Sequence, residues 1–240
     1  MSEDMRETIS ISVLLPINGS SFPGVLSLPP NHCGLVVFAH GSGSSRHSPR
    51  NLSVARILHA SGIGTLLFDL LTPQEDLLVS NRFDIDLLSN RLIRAVEWAR
   101  DFEGVSDVPI ALFGASTGAA AAITAAAKLG NLITAVVSRG GRPDLAPSAL
   151  PKLRSPTLLI VGAKDTEVEG LNRAAMQKMT CENQISIIPG ATHLFEEGRS
   201  LEVVAGLAAG WFLRYFTLAT HDRARAERGK SPSEGAQHPS

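Results

Sequence analysis

Three short runs, Gly34-Leu-Val-Val-Phe-Ala39, Pro109-Ile-Ala-Leu-Phe113 and Thr157-Leu-Leu-Ile-Val161, carry almost no polar side chain. A strand with one wet face alternates apolar and polar residues. These runs do not alternate and are too short for helices, so they read as strands buried on both faces. Helical periodicity lies between them. It spans Asn51 to Ser61 and Asp84 to Phe102, where Leu88, Leu92, Val96 and Ala99 recur three or four residues apart. It returns over Ser116 to Leu129, Glu169 to Met179 and most of His193 to Phe216. Further strands are expected at Ile63 to Phe68, Leu132 to Val137 and Ile185 to Ile188. Ile9 to Pro16 and Phe22 to Leu28 form a hairpin through Asn18-Gly19-Ser20. Strands alternating with helices imply an α/β fold. We expect about eight strands in a mostly parallel sheet, covered by helices on both faces.

The first 220 residues read as one domain, and 221–240 as a mobile polar tail with almost no large apolar side chain. Lys and Arg number 22 against 23 Asp and Glu, so no global basic field exists to hold nucleic acid or an anionic membrane. Two uncharged or nearly uncharged stretches mimic membrane spans. Val108 to Ala127 is broken by Pro109 and a glycine-flanked turn, and Val203 to Thr220 reads as a core-packed terminal helix. The acidic start, Met1-Ser-Glu-Asp, lacks the order of a signal peptide, which points to the cytoplasm. Cys33 and Cys181 are too few for a disulfide framework and are expected to be reduced thiols.

The sharpest chemical signal is Gly114-Ala-Ser-Thr-Gly118, set between a strand and an Ala-rich helix. That is the setting of a nucleophile elbow, in which Ser116 projects from a strained turn at the carboxyl end of the sheet. A Gly/Ser-rich packing turn is the plainer alternative. A serine nucleophile needs a base, itself oriented by an acid, and in this architecture they follow in the order serine, acid, histidine. Of seven histidines, His193 is the one that follows the elbow from an ordered loop, at the expected start of the last helix. Asp165 leaves the strand ending at Val161 by a short loop, with Glu167 and Glu169 as competitors. A helix cap is its alternative role.

An oxyanion hole is expected from the backbone N–H groups of Thr117 and of Ser42, in the loop His40-Gly-Ser-Gly-Ser-Ser45. A phosphate-cradling loop is the rival reading, but Arg46 stands where a dinucleotide fingerprint has Gly or Ala. His40 itself is expected to hold that loop by hydrogen bonds. No metal-ligand spacing accompanies the histidines, and no metal or cofactor is implied. Asp69, Glu75, Arg139 and Arg142 lie near strand ends, where ligands of open α/β sheets bind. Glu75 and Arg139 are the substrate-binding candidates, Arg139 for a carboxylate. Ion pairing among these loops is the competing account.

Together His40-Gly-Ser-Gly43, Gly114-Ala-Ser-Thr-Gly118, Val161-Gly-Ala-Lys-Asp165 and Gly190-Ala-Thr-His193 resemble the α/β-hydrolase superfamily, and within it the dienelactone-hydrolase-like group. The resemblance runs from about Leu14 to Phe216. It implies an α/β-hydrolase fold, the triad Ser116, Asp165 and His193, and no cofactor. Ser116 stands where dienelactone hydrolases have cysteine. Phe68 to Glu75, Ser138 to Asp144 and His193 to Glu197 look like a bacterial subgroup in which this domain sometimes accompanies a phosphoribosyltransferase-like one. The stretch between Leu132 and Thr157 leaves no room for a large lid. The expected function is hydrolysis of a small carboxylic ester, lactone or thioester through an acyl-enzyme. The alternative is a non-catalytic binding module, partnering a phosphoribosyltransferase-like protein.

Overall fold

The computed structural model describes residues 7–228. Strands β1 (Ile9–Ile17) and β2 (Ser20–Leu28) form the expected antiparallel hairpin. Its turn residues Asn18 and Gly19 both take positive φ, the tight-turn geometry for which Asn-Gly is suited. β3 (Leu35–Ala39), β4 (Gly64–Phe68), β5 (Ile110–Ala115), β6 (Ile133–Arg139), β7 (Thr157–Gly162) and β8 (Asn183–Ile188) follow. The eight strands make one sheet in the order β1-β2-β4-β3-β5-β6-β7-β8, with the six from β4 to β8 parallel. This is an α/β-hydrolase fold.

Two apolar layers sandwich the sheet. In β3, Leu35, Val37 and Ala39 enter one core, while Val36 and Phe38 enter the other. Helices α3 (Ile85–Arg100) and α4 (Thr117–Leu129) cover the first face; α1 (Pro49–Ala60) and α6 (Ser200–Arg228) cover the second. The unbroken apolar runs of the sequence are this two-sided burial. Each Val, Leu, Ile or Phe removed from water contributes roughly 1.5–3 kcal/mol. α6 is long and apolar enough to cross a membrane by length and composition alone. Val204, Ala208, Trp211, Phe212 and Tyr215 recur along one stripe, however, and are buried in the second core, where α6 packs on α1 and β6.

The structure corrects two boundaries. The last helix starts at Ser200, not near His193, because Phe195 and Gly198 take positive φ and Thr192 is tied to Glu197 in a turn. It also continues through His221 to Arg228, inside the expected tail, where Arg223 Nη1 donates to the Asp107 carbonyl at 2.7 Å. Ala and Arg in this stretch favour helix despite its polarity. Residues 229–240 of that expected tail lie outside the described residues.

A short helix, α2 (Pro73–Asp76), and a 3₁₀ turn (Val79–Phe83) also went unread in the sequence. Between β6 and β7 there are only two 3₁₀ turns, Pro143–Leu145 and Leu150–Lys152, and no large lid.

Candidate active site

Ser116 sits between β5 and α4 with φ 52° and ψ −122°, a conformation that L-residues rarely adopt. The flanking glycines permit it. A Cβ on Gly114 would lie 2.4 Å from Ala119 Cα, and one on Gly118 would lie 2.2 Å from the Ala39 carbonyl oxygen. Strand and helix can therefore approach only because both positions lack a side chain. The backbone is held from outside as well. Ser116 N–H donates to the Arg139 carbonyl at 3.1 Å, and Arg142 N–H donates to the Ser116 carbonyl at 3.2 Å.

Asp165 and His193 arrive from the next strands. Asp165 follows β7 and stands immediately before helix α5 (Thr166–Met176), but its carboxylate makes no capping bond. His193 Nδ1–H donates to it instead, at 2.7 Å from Oδ2, with the carboxylate only 16% exposed. Of the competitors, Glu169 pairs with Arg173 at 2.7 Å. Across the ring, His193 Nε2 is 3.3 Å from Ser116 Oγ. With Nδ1 carrying the ring proton, Nε2 is the free acceptor facing the hydroxyl.

The histidine loop is anchored by residues the sequence reading did not single out. Phe195 is fully buried in the second core. Glu197 takes hydrogen bonds from the Thr192 hydroxyl at 2.5 Å and the Thr192 N–H at 3.1 Å, which hold its carboxyl below the usual range. Glu196 reaches Arg50 at 2.5 Å and so ties the loop to the start of α1.

The loop after β3 lies against the elbow. Leu70 N–H donates to His40 Nε2 at 3.0 Å, so the ring proton is on Nδ1, which donates to the Gly41 carbonyl at 3.0 Å. His40 thereby fastens this loop to the one after β4, as expected. Burial pushes its imidazole below the ordinary histidine value, against a raising influence from the Gly41 carbonyl and from Asp69. The Thr117 N–H has no acceptor among the described residues. The Ser42 N–H is not free in the same way, since it donates to Thr117 Oγ1 at 2.9 Å.

A hollow of about 260 Å³ opens over the hydroxyl, lined by Ser42, Ser44, Arg50, Ser116, Arg139 and His193 among others. Glu75 does not line it. Its carboxylate pairs with Arg91 at 2.7 Å and closes a capping box with Thr72, so it pins α2 to α3 instead of facing a ligand. Asp69 is likewise paired with Arg46, and Arg142 with Asp144 at 2.7 Å. Arg139 is the strand-end candidate that does line the hollow.

Comparison with known proteins agrees with this fold. The family model of the dienelactone hydrolase family matches residues 65–219. The chain belongs to the dienelactone hydrolase family. A dienelactone hydrolase from Anabaena variabilis is 46% identical, superposes with a TM-score of 0.85, and is matched over 88% of this chain and 99% of its own. Est1E from Butyrivibrio proteoclasticus shares the fold at 17% identity, with a TM-score of 0.74 over 86% of this chain and 99% of its own. Family membership makes the chain a hydrolase. A Mycobacterium tuberculosis protein named as a phosphoribosyl transferase is 52% identical over 190 residues, which are 79% of this chain and 43% of that protein. The chain thus spans less than half the length of the curated relatives it matches.

Proposed function

We propose that this dienelactone hydrolase family member cleaves a small carboxylic ester, lactone or thioester with Ser116 as nucleophile. The observation that carries the reading is the pair of contacts at 2.7 and 3.3 Å that join Asp165, His193 and Ser116. These residues are 28 and 77 positions apart in the chain, and a packing turn gives no reason for them to line up.

In this mechanism His193 Nε2 takes the Ser116 proton as Oγ attacks the acyl carbonyl. Asp165 holds the imidazole by Nδ1 and stabilises the imidazolium. The oxyanion meets the Thr117 N–H at the positive end of α4, and the Ser42 N–H once the Thr117 hydroxyl has turned away. The imidazolium then protonates the leaving alcohol or thiol. Water attacks the acyl-enzyme by the same route and releases the acid. The chemistry draws on no metal or cofactor.

The second reading is a non-catalytic module joined to a phosphoribosyltransferase-like protein. The name and greater length of the Mycobacterium tuberculosis relatives favour it. Intact-mass spectrometry after fluorophosphonate treatment separates the two. The enzyme gives one adduct, mapped to Ser116 and suppressed in His193→Ala. An unlabelled protein that also leaves a panel of short esters, lactones and acyl thioesters untouched removes the catalytic reading.

A further inference from the structure

Helix α5 follows directly on the triad acid and carries, two turns further along, a buried amide that ester cleavage does not use. Asp165 stands immediately before the helix, and Asn172 lies inside it, 0% exposed. The other buried residues of α5 are Val168 and Ala175, which suit a helix packed on a sheet. An asparagine among them costs free energy unless its polar atoms find partners. Its nitrogen does. Nδ2 donates to the Val168 carbonyl at 2.7 Å, within the helix, and to the Gly141 carbonyl at 2.9 Å, outside it. Both partners are carbonyls, so only the donor end of the amide can face them. Oδ1 is buried with no partner among the described residues. The fold therefore leaves the acceptor unmet to keep the donor in place, and the donor's target beyond its own helix is the loop after β6.

That loop adjoins both other members of the proposed triad. Its two ends bracket the nucleophile: the Arg139 carbonyl takes the Ser116 N–H, and Arg142 gives its N–H to the Ser116 carbonyl. Between them, Gly140 lies beside the base. A Cβ there would come within 3.4 Å of His193 Nδ1 and Cε1, the ring edge that bonds Asp165. The Gly140 N–H donates to the Ile160 carbonyl at 2.7 Å, on β7, the strand that leads to Asp165. Gly141 is threaded between β6 and α4, where a Cβ would lie 1.9 Å from Ser138 Oγ and 2.6 Å from Ala119 Cβ. Any shift of this loop moves the serine backbone and the surface beside the imidazole together.

We infer that Asn172 is a positioning residue. It locks the 139–142 loop to α5, so that acid, base and nucleophile are set from one rigid helix. A misplacement on the order of 1 Å, caused far from the chemistry, costs about 10²-fold in rate, so a lock of this kind acts on turnover more than on binding. The inference rests on the proposed triad for its effect on rate, and on the loop contacts alone for the lock itself.

Two variants test it. Asn172→Leu nearly keeps the volume and removes both donated bonds. Asn172→Ser keeps a hydroxyl that can return to the Val168 carbonyl, four residues back, but is too short for Gly141. Each is expected to lower kcat on 4-nitrophenyl butyrate about tenfold or more, with KM within about twofold of wild type. Fluorophosphonate still gives one adduct per chain, at a rate about tenfold slower or more. Hydrogen exchange followed by mass spectrometry is expected to quicken in the peptides holding Ser116 and residues 139–142, and to stay unchanged in β3 and β4. A smaller loss of kcat in the folded Asn172→Ser protein overturns the inference. So does a normal labelling rate with less than one adduct per chain, which marks lost folded protein, or exchange that rises uniformly. If the wild type cleaves no ester and takes no adduct, the hydrolase reading fails, and exchange alone decides the lock. Protection lost at the loop in either variant supports it, and protection unchanged there overturns it.

Discussion

Two hollows of similar volume open at opposite ends of the sheet, and they differ in how completely their polar groups are satisfied. At the amino ends of β5 and β6 a space of about 240 Å³ is lined by Arg100, Asp107, Thr134 and Arg223. There Arg223 donates to the Asp107 carbonyl, and Thr134 Oγ1 donates to the Ile110 carbonyl at 2.9 Å. At the carboxyl ends the space of about 260 Å³ holds a serine at positive φ, a histidine aimed at it and a buried guanidinium whose Nε and Nη1 have no acceptor among the described residues. Strained backbone and unmet polar groups persist where the surrounding fold over-determines them, and they gather at sites that act on a ligand. The hollow whose bonding is complete is therefore less informative than the less comfortable one. Both ends are products of the same parallel sheet; what separates them is unfinished bonding.

The comparison breaks most readily by substitution at both ends. Ser116→Ala is expected to lower kcat on the best ester by about 10⁴-fold or more, since attack through the acyl-enzyme is lost. Arg100→Ala, in the amino-end hollow, is expected to stay within about twofold of wild type, because it touches neither the reacting groups nor their supports. Steady-state kinetics on the two purified variants settles it. A Ser116→Ala protein with near-normal turnover, or an Arg100→Ala protein with little, would reverse the assignment of the two ends.

The same contrast explains what the sequence revealed. The doubly buried strands and the glycine-flanked elbow were legible because each follows from short-range rules: period, run length and the steric demand at Gly114 and Gly118. The order of Ser116, Asp165 and His193 was legible from chain order. Other features depended on partners far apart in sequence. Glu75 looked like a ligand group until Arg91, on a helix not adjacent in the motif, claimed it. Arg50 lies just outside the helix expected from Asn51 and went unread, although Ser48-Pro49 before it is a helix-start signal that places the positive end near the site. The loop at His193 was drawn into the last helix because its apolar residues suit one. Phe195 is buried from a positive-φ turn instead. Helix propensity likewise carried α6 past the compositional boundary at residue 221.

A pH titration sharpens the contrast through His40, which supports the carboxyl-end loop as a neutral acceptor of the Leu70 N–H. Its folded pKa lies below the ordinary value because it is buried. Below that ordinary value, about 6.5, the unfolded chain takes up a proton that the folded chain refuses. Unfolding then binds more protons, and stability falls as pH falls from about 6.5 toward the depressed folded pKa. The contribution is fully present above that window. His59, also depressed by burial, adds a similar slope from outside the site. His40→Gln removes one of the two. The expected result is a smaller drop in Tm between pH 7.5 and 5.5 in the variant than in wild type, by scanning calorimetry. Equal drops would mean that His40 titrates freely in the fold.

The finest test concerns the bond between the Ser42 N–H and Thr117 Oγ1. An oxyanion is a stronger acceptor than a hydroxyl, so the N–H is expected to change partners as charge develops on the substrate. Breaking the resting bond costs about 1 kcal/mol, and that cost is included in the barrier. Thr117→Val keeps the shape and removes the competing oxygen. The expected outcome is a kcat raised by up to about fivefold, the rate equivalent of that bond, with KM little changed and Thr117→Ser close to wild type. A fall in kcat of tenfold would give the hydroxyl the opposite role. It would then be accepting from Ser42 in order to pass its own proton toward the oxyanion, and the donor set there would be that side chain and one backbone amide, the Thr117 N–H.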